Sequence, residues 1–339
     1  MKKLLNTLYI TTQGSYLHKE RETLVVEQER QRVFQAPLHT LQNVFCFGRI
    51  ITTPDLLASC AEHGIGVAYF TENGKFQARW QGPQHGNVLL RRAQYREADE
   101  QPHILARLFI AAKLTNTRHI TLREQRNHGS HPELEKLGQK LAWQRSRLQQ
   151  TDDMNILRGL EGEAAAAYFA NFQHFIRPER QQSFTFSGRN RRPPLDRVNA
   201  LLSFAYALLT QDIASALQGI GLDPYVGFLH TDRPGRLSLA LDLLEEFRAW
   251  WCDRFVLSLI NRQQISEGDF LQESSGAINL TTEGRKAFFA AWQTRKQEDI
   301  THPYTEEKIP VGLLPHVQGQ LLARYLREDM ENYTPFVAR

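Results

Sequence analysis

Cysteine is scarce in this chain. Cys46, Cys60 and Cys252 are the three cysteines among 339 residues, and no two of them form a CxxC pair. Because they are scattered and odd in number, they argue against a disulfide framework or a zinc ribbon and suit a reducing compartment. We interpret them as small core residues and expect a cytoplasmic protein.

Long apolar runs are missing as well. No stretch of the sequence reaches the roughly 20 apolar residues that a membrane-spanning helix needs, because Arg, Asp or Gln interrupts each one. The opening MKKLLNTLYITTQGSYL carries two lysines, but polar residues break it before the apolar core of a signal peptide can form. We expect no export signal and no membrane partner.

Neither sign of charge dominates the composition. The 41 Lys and Arg residues face 37 Asp and Glu residues, which leaves a net charge of +4. This balance permits a polyanionic partner without requiring one. Arginine is clustered, above all in SGRNRRPP, and its planar guanidinium suits phosphate better than an ammonium does. The clusters indicate either a nucleic-acid surface or ordinary solvated faces.

Hydrophobic periodicity divides the chain in two. Up to about residue 90, short runs rich in Val, Tyr, Phe and Thr alternate with polar residues, and TENGKF carries the Asn-Gly of a tight hairpin. One short helix is expected there, between an N-cap at Thr53 and a stop at Gly64. Beyond that region, apolar residues recur three and four apart, which predicts helices. The sequence therefore predicts an α+β fold, with a small N-terminal β-rich domain at 1–90 and a larger, mostly α-helical catalytic domain at 91–339.

The second part is expected to contain seven long helical segments. They are Pro102–Leu114, Glu133–Leu148, Met154–Phe175, Pro194–Ala216, Leu237–Ile260, Thr282–Gln297 and Val311–Asp329. The loop IRPERQQSFTFSGRNRRPP between two of them is long, rich in arginine and punctuated by proline, so we expect it to be exposed.

Acidic residues lie on apolar faces of two of these helices. At about 100° per residue, Glu161 of NILRGLEGEAAAAYFANF falls within the apolar stripe, whereas Glu163 faces the opposite way. On the helix LSLALDLLEEFRAWW, Asp242 and Glu245 are three residues apart and share a face. An unpartnered buried carboxylate costs several kcal/mol, so a compensating group is needed.

A histidine accompanies these acids. His230 precedes the second helix by TDRPGR, a turn-forming stretch that can fold it back over the helix start. Carboxylate oxygens with one imidazole nitrogen form a ligand set for Mg²⁺ or Mn²⁺. The alternative is that the acids pair with arginine, such as Arg236 or Arg248, and that the histidine is structural. Spacing alone favours this alternative, although Glu161 is the hardest residue for it to explain.

Three long blocks of the sequence resemble a known family in order and spacing. They are LRGLEGEAAAAYF, FSGRNRRPPLDRVNALLSFAYALL and DPYVGFLHTDRPGRLSLALDLLEEFR. They resemble signature blocks of the CRISPR-associated spacer-acquisition endonuclease and integrase, the first of the numbered Cas proteins (Cas-one). GNVLLRRAQY and QGQLLARYLREDMENYTPF extend the resemblance over most of the chain, and the length and first block are most similar to the type I-C branch.

The resemblance implies a metal-dependent DNA endonuclease and integrase that uses Mg²⁺ or Mn²⁺. The metal ligands of the family, which are also its catalytic residues, map onto Glu161, His230 and Glu245, and a supporting acid maps onto Asp242. Many members carry Asp where Glu245 stands, so Glu246 is the alternative ligand. The face shared with Asp242 favours Glu245.

The resemblance also implies a reaction and its partners. A DNA 3′-hydroxyl attacks a phosphodiester, so no covalent protein nucleophile is needed, and the partners are double-stranded DNA (spacer precursor and CRISPR repeat), a second copy in a homodimer and the small second numbered Cas protein. The candidate phosphate contacts are Arg91, Arg92, Arg189, Arg191 and Arg192. Two alternatives stay open: a metal-dependent structure-specific nuclease in DNA repair, and a non-catalytic DNA-bridging scaffold.

Overall fold

The computed structural model describes residues 5–80, 82, 88–129, 131–190 and 193–338. Its strands are β1 (Asn6–Ile10), β2 (Tyr16–Glu20), β3 (Thr23–Gln28), β4 (Gln31–Pro37), β5 (Leu41–Phe47), β6 (Ile51–Thr52), β7 (Gly66–Phe70), β8 (Phe76–Trp80), β9 (Phe270–Gln272), β10 (Ile278–Leu280), β11 (Asp299–Thr301) and β12 (Lys308–Pro310). Its α-helices are α1 (Pro54–Glu62), α2 (Val88–Glu100), α3 (Pro102–His128), α4 (Pro132–Arg147), α5 (Met154–Ala170), α6 (Pro178–Gln181), α7 (Arg197–Ile220), α8 (Ser238–Phe247), α9 (Arg254–Asn261), α10 (Thr282–Gln297) and α11 (Leu314–Leu326).

Two four-stranded sheets form the N-terminal part. One has the order β1-β5-β7-β8, with β1, β5 and β7 parallel and β8 antiparallel to β7, and the other has the order β4-β3-β2-β6. The turn from β7 to β8 runs through Asn73 and Gly74, and Gly74 takes a φ of +83°, a left-handed conformation that suits glycine. The hairpin predicted from TENGKF is therefore confirmed.

The short helix predicted between the strands is also confirmed. α1 begins after Thr53, whose side-chain oxygen accepts a hydrogen bond from the backbone N–H of Leu56 at 3.3 Å. Gly64, just beyond the helix, has a φ of +67° and ends it.

Helices α3, α4, α5 and α7 to α11 lie on predicted segments, whereas α2 and the four-residue α6, which lies in the predicted loop, were not predicted. Two of the predicted helices differ in an instructive way. α3 continues to His128, because the polar residues after Leu114 are buried through hydrogen bonds rather than by apolar periodicity. Asn116, for example, donates to the carbonyl oxygen of Glu246 at 2.8 Å. The predicted helix Leu237–Ile260 is divided, since a π-helical turn at Arg248–Asp253 separates α8 from α9.

Two short antiparallel pairs, β9 with β10 and β11 with β12, were not predicted. Each strand has three residues, which is too short for alternation to be recognised in a sequence. They lie within a part that is otherwise mostly helical, so the predicted α+β fold class is confirmed.

One hydrophobic core joins the first sheet to the helices. Phe45, Phe47 and Phe70 of that sheet belong to the same cluster as the buried face of α7. Among the described residues, α7 is also the one helix long and apolar enough to cross a membrane, but 72% of its apolar window is buried, as in a core helix. Because this core spans both parts, the division into 1–90 and 91–339 stays a prediction.

A buried ion pair reinforces this junction. Lys296 of α10 contacts Asp212 of α7 at 2.9 Å, and Asn43 of β5 donates to the other oxygen of the same carboxylate at 2.9 Å. Lys296 and Asp212 are almost fully buried. Pairs of this kind fix one arrangement of the packed elements, because each charge is costly without its partner.

Candidate metal centre

Glu161 lies on α5, at the edge of the face that packs into the core. The helix starts at Asp153, whose carboxylate accepts from the backbone N–H groups of Asn155 and Ile156, and Leu157 and Leu160 bury its apolar face. The side chain of Glu161 is 24% exposed, and its carboxylate contacts the ammonium of a lysine on α3. It is therefore open to solvent on one side and ion-paired on the other.

The three acids of α8 are all buried, and they point to three different places. Asp242, Glu245 and Glu246 are 0%, 2% and 0% exposed. Asp242 faces the loop that carries His230, Glu245 faces α3, and Glu246 faces the C-terminal segment. Each acid has its own compensating partners, so the burial that looked unfavourable from the sequence is explained.

Asp242 organises the loop before α8. One of its oxygens accepts from the backbone N–H groups of Phe228 and Leu229 at 2.6 and 3.0 Å, and the other accepts from that of His230 at 2.9 Å. Gly227 is required for this approach, because a Cβ there would lie 2.8 Å from both Asp242 Oδ2 and the carbonyl carbon of Ser238. The glycine and the acid together curl the loop onto the start of α8.

His230 is oriented by the same carboxylate. Its Nδ1 lies 2.6 Å from Asp242 Oδ1 and donates to it, which leaves Nε2 as a lone-pair donor. Arg158 of α5 donates to the carbonyl oxygen of Leu229 at 2.9 Å and ties the histidine loop to the helix that carries Glu161. A carboxylate that fixes the far nitrogen of an imidazole is the usual support of a metal-binding histidine.

A lysine joins the two glutamates. The ammonium of Lys113, on α3, lies 2.7 Å from Glu245 Oε2 and also contacts Glu161 Oε1. Arg248 pairs with the other oxygen of Glu245 at 3.0 Å. Burial raises the pKa of Glu245, but Arg248, Lys113 and His230 outweigh burial and bring that pKa to about 2. Glu245 is therefore held as a carboxylate.

The donors present fit a hard divalent cation. Glu245 Oε2 is buried and anionic, and its partner is the Lys113 ammonium at 2.7 Å, so a metal ion would have to take the place of that ammonium. With Glu161 and His230 Nε2, this oxygen supplies the oxygen and nitrogen ligands that Mg²⁺ and Mn²⁺ accept. Nothing in this set provides the thiolates typical of structural zinc.

A more compact trio of potential ligands lies elsewhere. It consists of His18, Glu20 and Glu27, on β2 and β3, whose ligand atoms lie within 4.8 Å of one another. No other group of three or more His, Cys, Asp or Glu side chains among the described residues is as compact. The three side chains of this trio are partly exposed, and Arg32 already pairs with Glu20 at 2.5 Å. The predicted trio does not meet this limit, and the Lys113 ammonium contacts both of its carboxylates.

Glu246 has a separate, structural environment. Its carboxylate accepts from the hydroxyl of Tyr333 at 2.6 Å, the amide of Gln318 at 2.8 Å and the backbone N–H of Phe336 at 2.7 Å. Burial raises its pKa to about 7. Glu246 thus anchors the C-terminal segment and points away from Lys113 and Glu161.

The arginines predicted to contact phosphate differ in the hydrogen bonds that they make within the protein. Arg189 donates to Asn199 at 2.5 Å and to Ser203 at 3.0 Å, so its guanidinium orders the loop before α7. Arg91 donates to the carbonyl oxygen of Gly221 at 3.1 Å, whereas Arg92 is exposed on α2. Arg191 and Arg192 lie outside the described residues.

A large cavity reaches Arg248, the partner of Glu245. It has a volume of about 980 Å³ and lies among α7, α8, the β7–β8 turn and the β9–β10 pair. Arg248 and Tyr206 line the side nearest to Glu245, and Lys75, Arg189 and Arg285 add positive charge to its wall. Apolar side chains and one carboxylate, that of Glu273, complete a wall whose net charge is positive.

Sequence reasoning missed three residues that build this centre: Lys113, Arg158 and Gly227. Lys113 had a recognisable signal, because it interrupts the apolar stretch LFIAAKL just as Glu161 interrupts its own stripe. Arg158 and Gly227 had none, since the first acts through a backbone carbonyl and the second through a close contact that only coordinates reveal.

Comparison with known proteins identifies the family. The sequence model described as CRISPR associated protein Cas1 matches residues 8–294. CRISPR-associated endonuclease Cas1 1 of Chlorobaculum tepidum is 52% identical over 100% of both chains, and CRISPR-associated endonuclease Cas1 2 of Rhodospirillum rubrum is 48% identical over 99% of both. The chain belongs to the Cas1 family. The family predicted from the sequence is thus confirmed, and so is the enzyme class, because both Cas1 relatives are named endonucleases; the type I-C subtype stays a prediction.

Solved structures share the Cas1 fold. A casposase bound to its integration product superposes with a TM-score of 0.81 at 21% identity, over 97% of this chain and 93% of that one. A chain of a Cas6-RT-Cas1–Cas2 complex gives 0.83 at 22% identity, over 99% of this chain and 36% of that one. At these identities the likeness establishes the fold.

Proposed function

We propose that the chain inserts short DNA fragments into a CRISPR array as a metal-dependent DNA endonuclease and integrase, and that Glu161, His230 and Glu245 hold Mg²⁺ or Mn²⁺. The observation that supports this most is the bond between Asp242 and His230. A buried carboxylate that fixes Nδ1 of a partly exposed imidazole leaves Nε2 available as a ligand, on a loop that Arg158 ties to the helix carrying Glu161.

A divalent cation held by these residues would polarise a phosphodiester and stabilise the negative charge that develops on its oxygens. The residues of the chain keep the donors ready for it. Arg248 pairs with Glu245 and keeps it ionised, and Asp242 keeps the imidazole of His230 in one tautomer. Each of them acts through a ligand rather than on the DNA.

No cysteine of the chain is suited to act as a covalent nucleophile. Cys46, Cys60 and Cys252 are all buried, and burial raises the pKa of the Cys46 and Cys60 thiols to about 12. Thiolate is therefore absent at neutral pH. This agrees with attack by a DNA 3′-hydroxyl, or by water in simple cleavage.

Double-stranded DNA is the expected partner, as spacer precursor and as CRISPR repeat. The basic wall of the cavity and exposed Arg92 support this, and Arg91, Arg189, Arg191 and Arg192 remain candidates for phosphate contacts. Arg189 can take that role only by exchanging its bonds to Asn199 and Ser203. Contacts of this kind position DNA without reading its sequence and weaken steeply with salt.

Two protein partners are part of the proposal. The solved complex with this fold contains Cas2, and we extend that small partner to this chain, together with a homodimer formed through the N-terminal β domain. Because the expected substrate is DNA, we also propose a cytoplasmic location.

Strand joining tests the proposal. A labelled short duplex, a supercoiled plasmid with a leader and repeat, and the small Cas partner are incubated with Mg²⁺, Mn²⁺ or EDTA. We expect metal-dependent transfer of label to the plasmid by the wild type and by Glu163→Ala, a matched control because Glu163 is exposed on the same helix and pairs with Lys140. Glu161→Ala should abolish the transfer. Label that is cut but never joined would favour a repair nuclease.

One observation favours a different role. Lys113 and Arg248 already neutralise Glu161 and Glu245, as expected for a non-catalytic scaffold that bridges DNA. A scaffold needs no metal, so DNA binding without any metal-dependent chemistry, unchanged in Glu161→Ala, would establish it and refute the enzyme.

A further inference from the structure

We propose that Lys113 is a built-in counter-cation of the metal centre: its ammonium occupies the position between Glu161 and Glu245 and competes with the divalent cation for their oxygens. The inference rests on the proposed metal site and adds a residue that sets the affinity of that site. Lys113 acts on the ligands and not on DNA, so it is a positioning residue.

The contacts of Lys113 are specific. Lys113 is 6% exposed, and its Nζ contacts carboxylates from two helices, Glu161 on α5 and Glu245 on α8. Within α3, the backbone carbonyl of Lys113 accepts from the hydroxyl of Thr117 at 2.7 Å, so the backbone at this position is held in the helix. The ammonium end alone is free to change position, on a stem of four flexible carbons.

Arg248 and Lys113 contact different carboxylate oxygens. Arg248 takes Glu245 Oε1, which leaves Oε2 and the Glu161 carboxylate to Lys113. Without that ammonium the two acids would repel each other in a poorly solvated site. Arg248 can stay when a metal binds, because it uses a different oxygen.

An ammonium and a divalent cation cannot share these oxygens. Lys113 Nζ lies 2.7 Å from Glu245 Oε2, and Mg²⁺ requires its ligand oxygens at about 2.0–2.1 Å from its own centre. Metal binding therefore displaces the ammonium. The affinity of the wild type for metal thus reflects the free energy of metal binding minus the free energy of the ammonium contacts that are lost.

The test measures Mn²⁺ binding by the full chain, from the EPR signal of free Mn²⁺, together with the melting temperature. The variants are Lys113→Met, which removes the competitor, Lys113→Arg, which keeps the charge, and Lys140→Met, a matched control that removes an exposed lysine paired with Glu163 at 2.8 Å. Glu161→Gln identifies the site. Lys113→Met is expected to bind Mn²⁺ about tenfold more tightly than the wild type.

The melting temperature gives a second, independent readout. Without metal, Lys113→Met should melt below the wild type, because the acids lose their partner, and Mn²⁺ should raise its melting temperature more than that of the wild type. Lys113→Arg and Lys140→Met should bind Mn²⁺ as the wild type does.

Three results would overturn the inference: unchanged or weaker Mn²⁺ binding by folded Lys113→Met, equal tightening in Lys140→Met, or a Lys113→Met chain that stays unfolded even with Mn²⁺. Failure of the proposed function looks different. In that case the wild type itself shows no Mn²⁺ site that Glu161→Gln removes.

Discussion

We predict that the carboxylate of Asp242 stabilises the loop before α8 and also strengthens metal binding. In Asp242→Asn, the amide oxygen can keep the N–H groups of Phe228 and Leu229, but the NH₂ group then faces His230 N and Nδ1, at 2.9 and 2.6 Å from the present oxygen. Two hydrogen bonds to a charged acceptor are lost, each worth about 1.5–3 kcal/mol. We expect the free energy of unfolding to fall by about 3–6 kcal/mol.

The metal affinity should fall in the same variant, because the imidazole loses its orientation. Loss of a carboxylate that supports a ligand histidine weakens metal binding about 10- to 100-fold. Urea unfolding and Mn²⁺ titration check the two effects, with Asp232→Asn as the control, since Asp232 is exposed on the same loop. A folded Asp242→Asn chain with wild-type stability and unchanged Mn²⁺ affinity would refute the reasoning.

Three further predictions concern groups around the centre. Glu246→Ala leaves two buried donors, the Tyr333 hydroxyl and the Phe336 N–H, without their acceptor, whereas Gln318 keeps Thr334 as a partner. The free energy of unfolding should fall by about 2–6 kcal/mol in urea titration, and a loss below about 1 kcal/mol would contradict this. Gly227→Ala should weaken Mn²⁺ binding, because its Cβ meets Asp242 and Ser238 at 2.8 Å, whereas Gly219→Ala, with open space around its Cβ, should not. Burial raises the pKa of Asp253 to about 6, so the folded state holds its proton more tightly, and stability present near pH 4 declines as the pH rises to about 6. Asp253→Asn should remove that part of the pH dependence, about 3 kcal/mol, and an unchanged profile would show that Asp253 is not its source.

The sequence predicts secondary structure well where periodicity or end signals are strong. α10 has its predicted bounds, and α1 has its predicted N-cap at Thr53, because a cap, a proline and a glycine are local features. The π-helical turn after α8 has no such signal. It depends on packing against other elements, and it places Arg248 beneath Glu245.

The candidate site divides in the same way. Helical angle and the register of the family-like block distinguish Glu245 from Glu246, and the two neighbours do have different partners, Lys113 for one and Tyr333 for the other. Which groups compensate the acids could not be predicted, because Lys113 is 48 residues from Glu161 in sequence and meets it only in the folded chain. Likewise, Arg189 looked like a free phosphate contact until its bonds within the protein were seen.

A crystal of the protein soaked in Mn²⁺ tests the central claim most directly, by anomalous scattering at the manganese edge. We expect one strong peak bonded to Glu161, Glu245 and Nε2 of His230, at about 2.0–2.2 Å, with the ammonium of Lys113 moved away. An ammonium that stays between the two glutamates, with no manganese at that position, would contradict it.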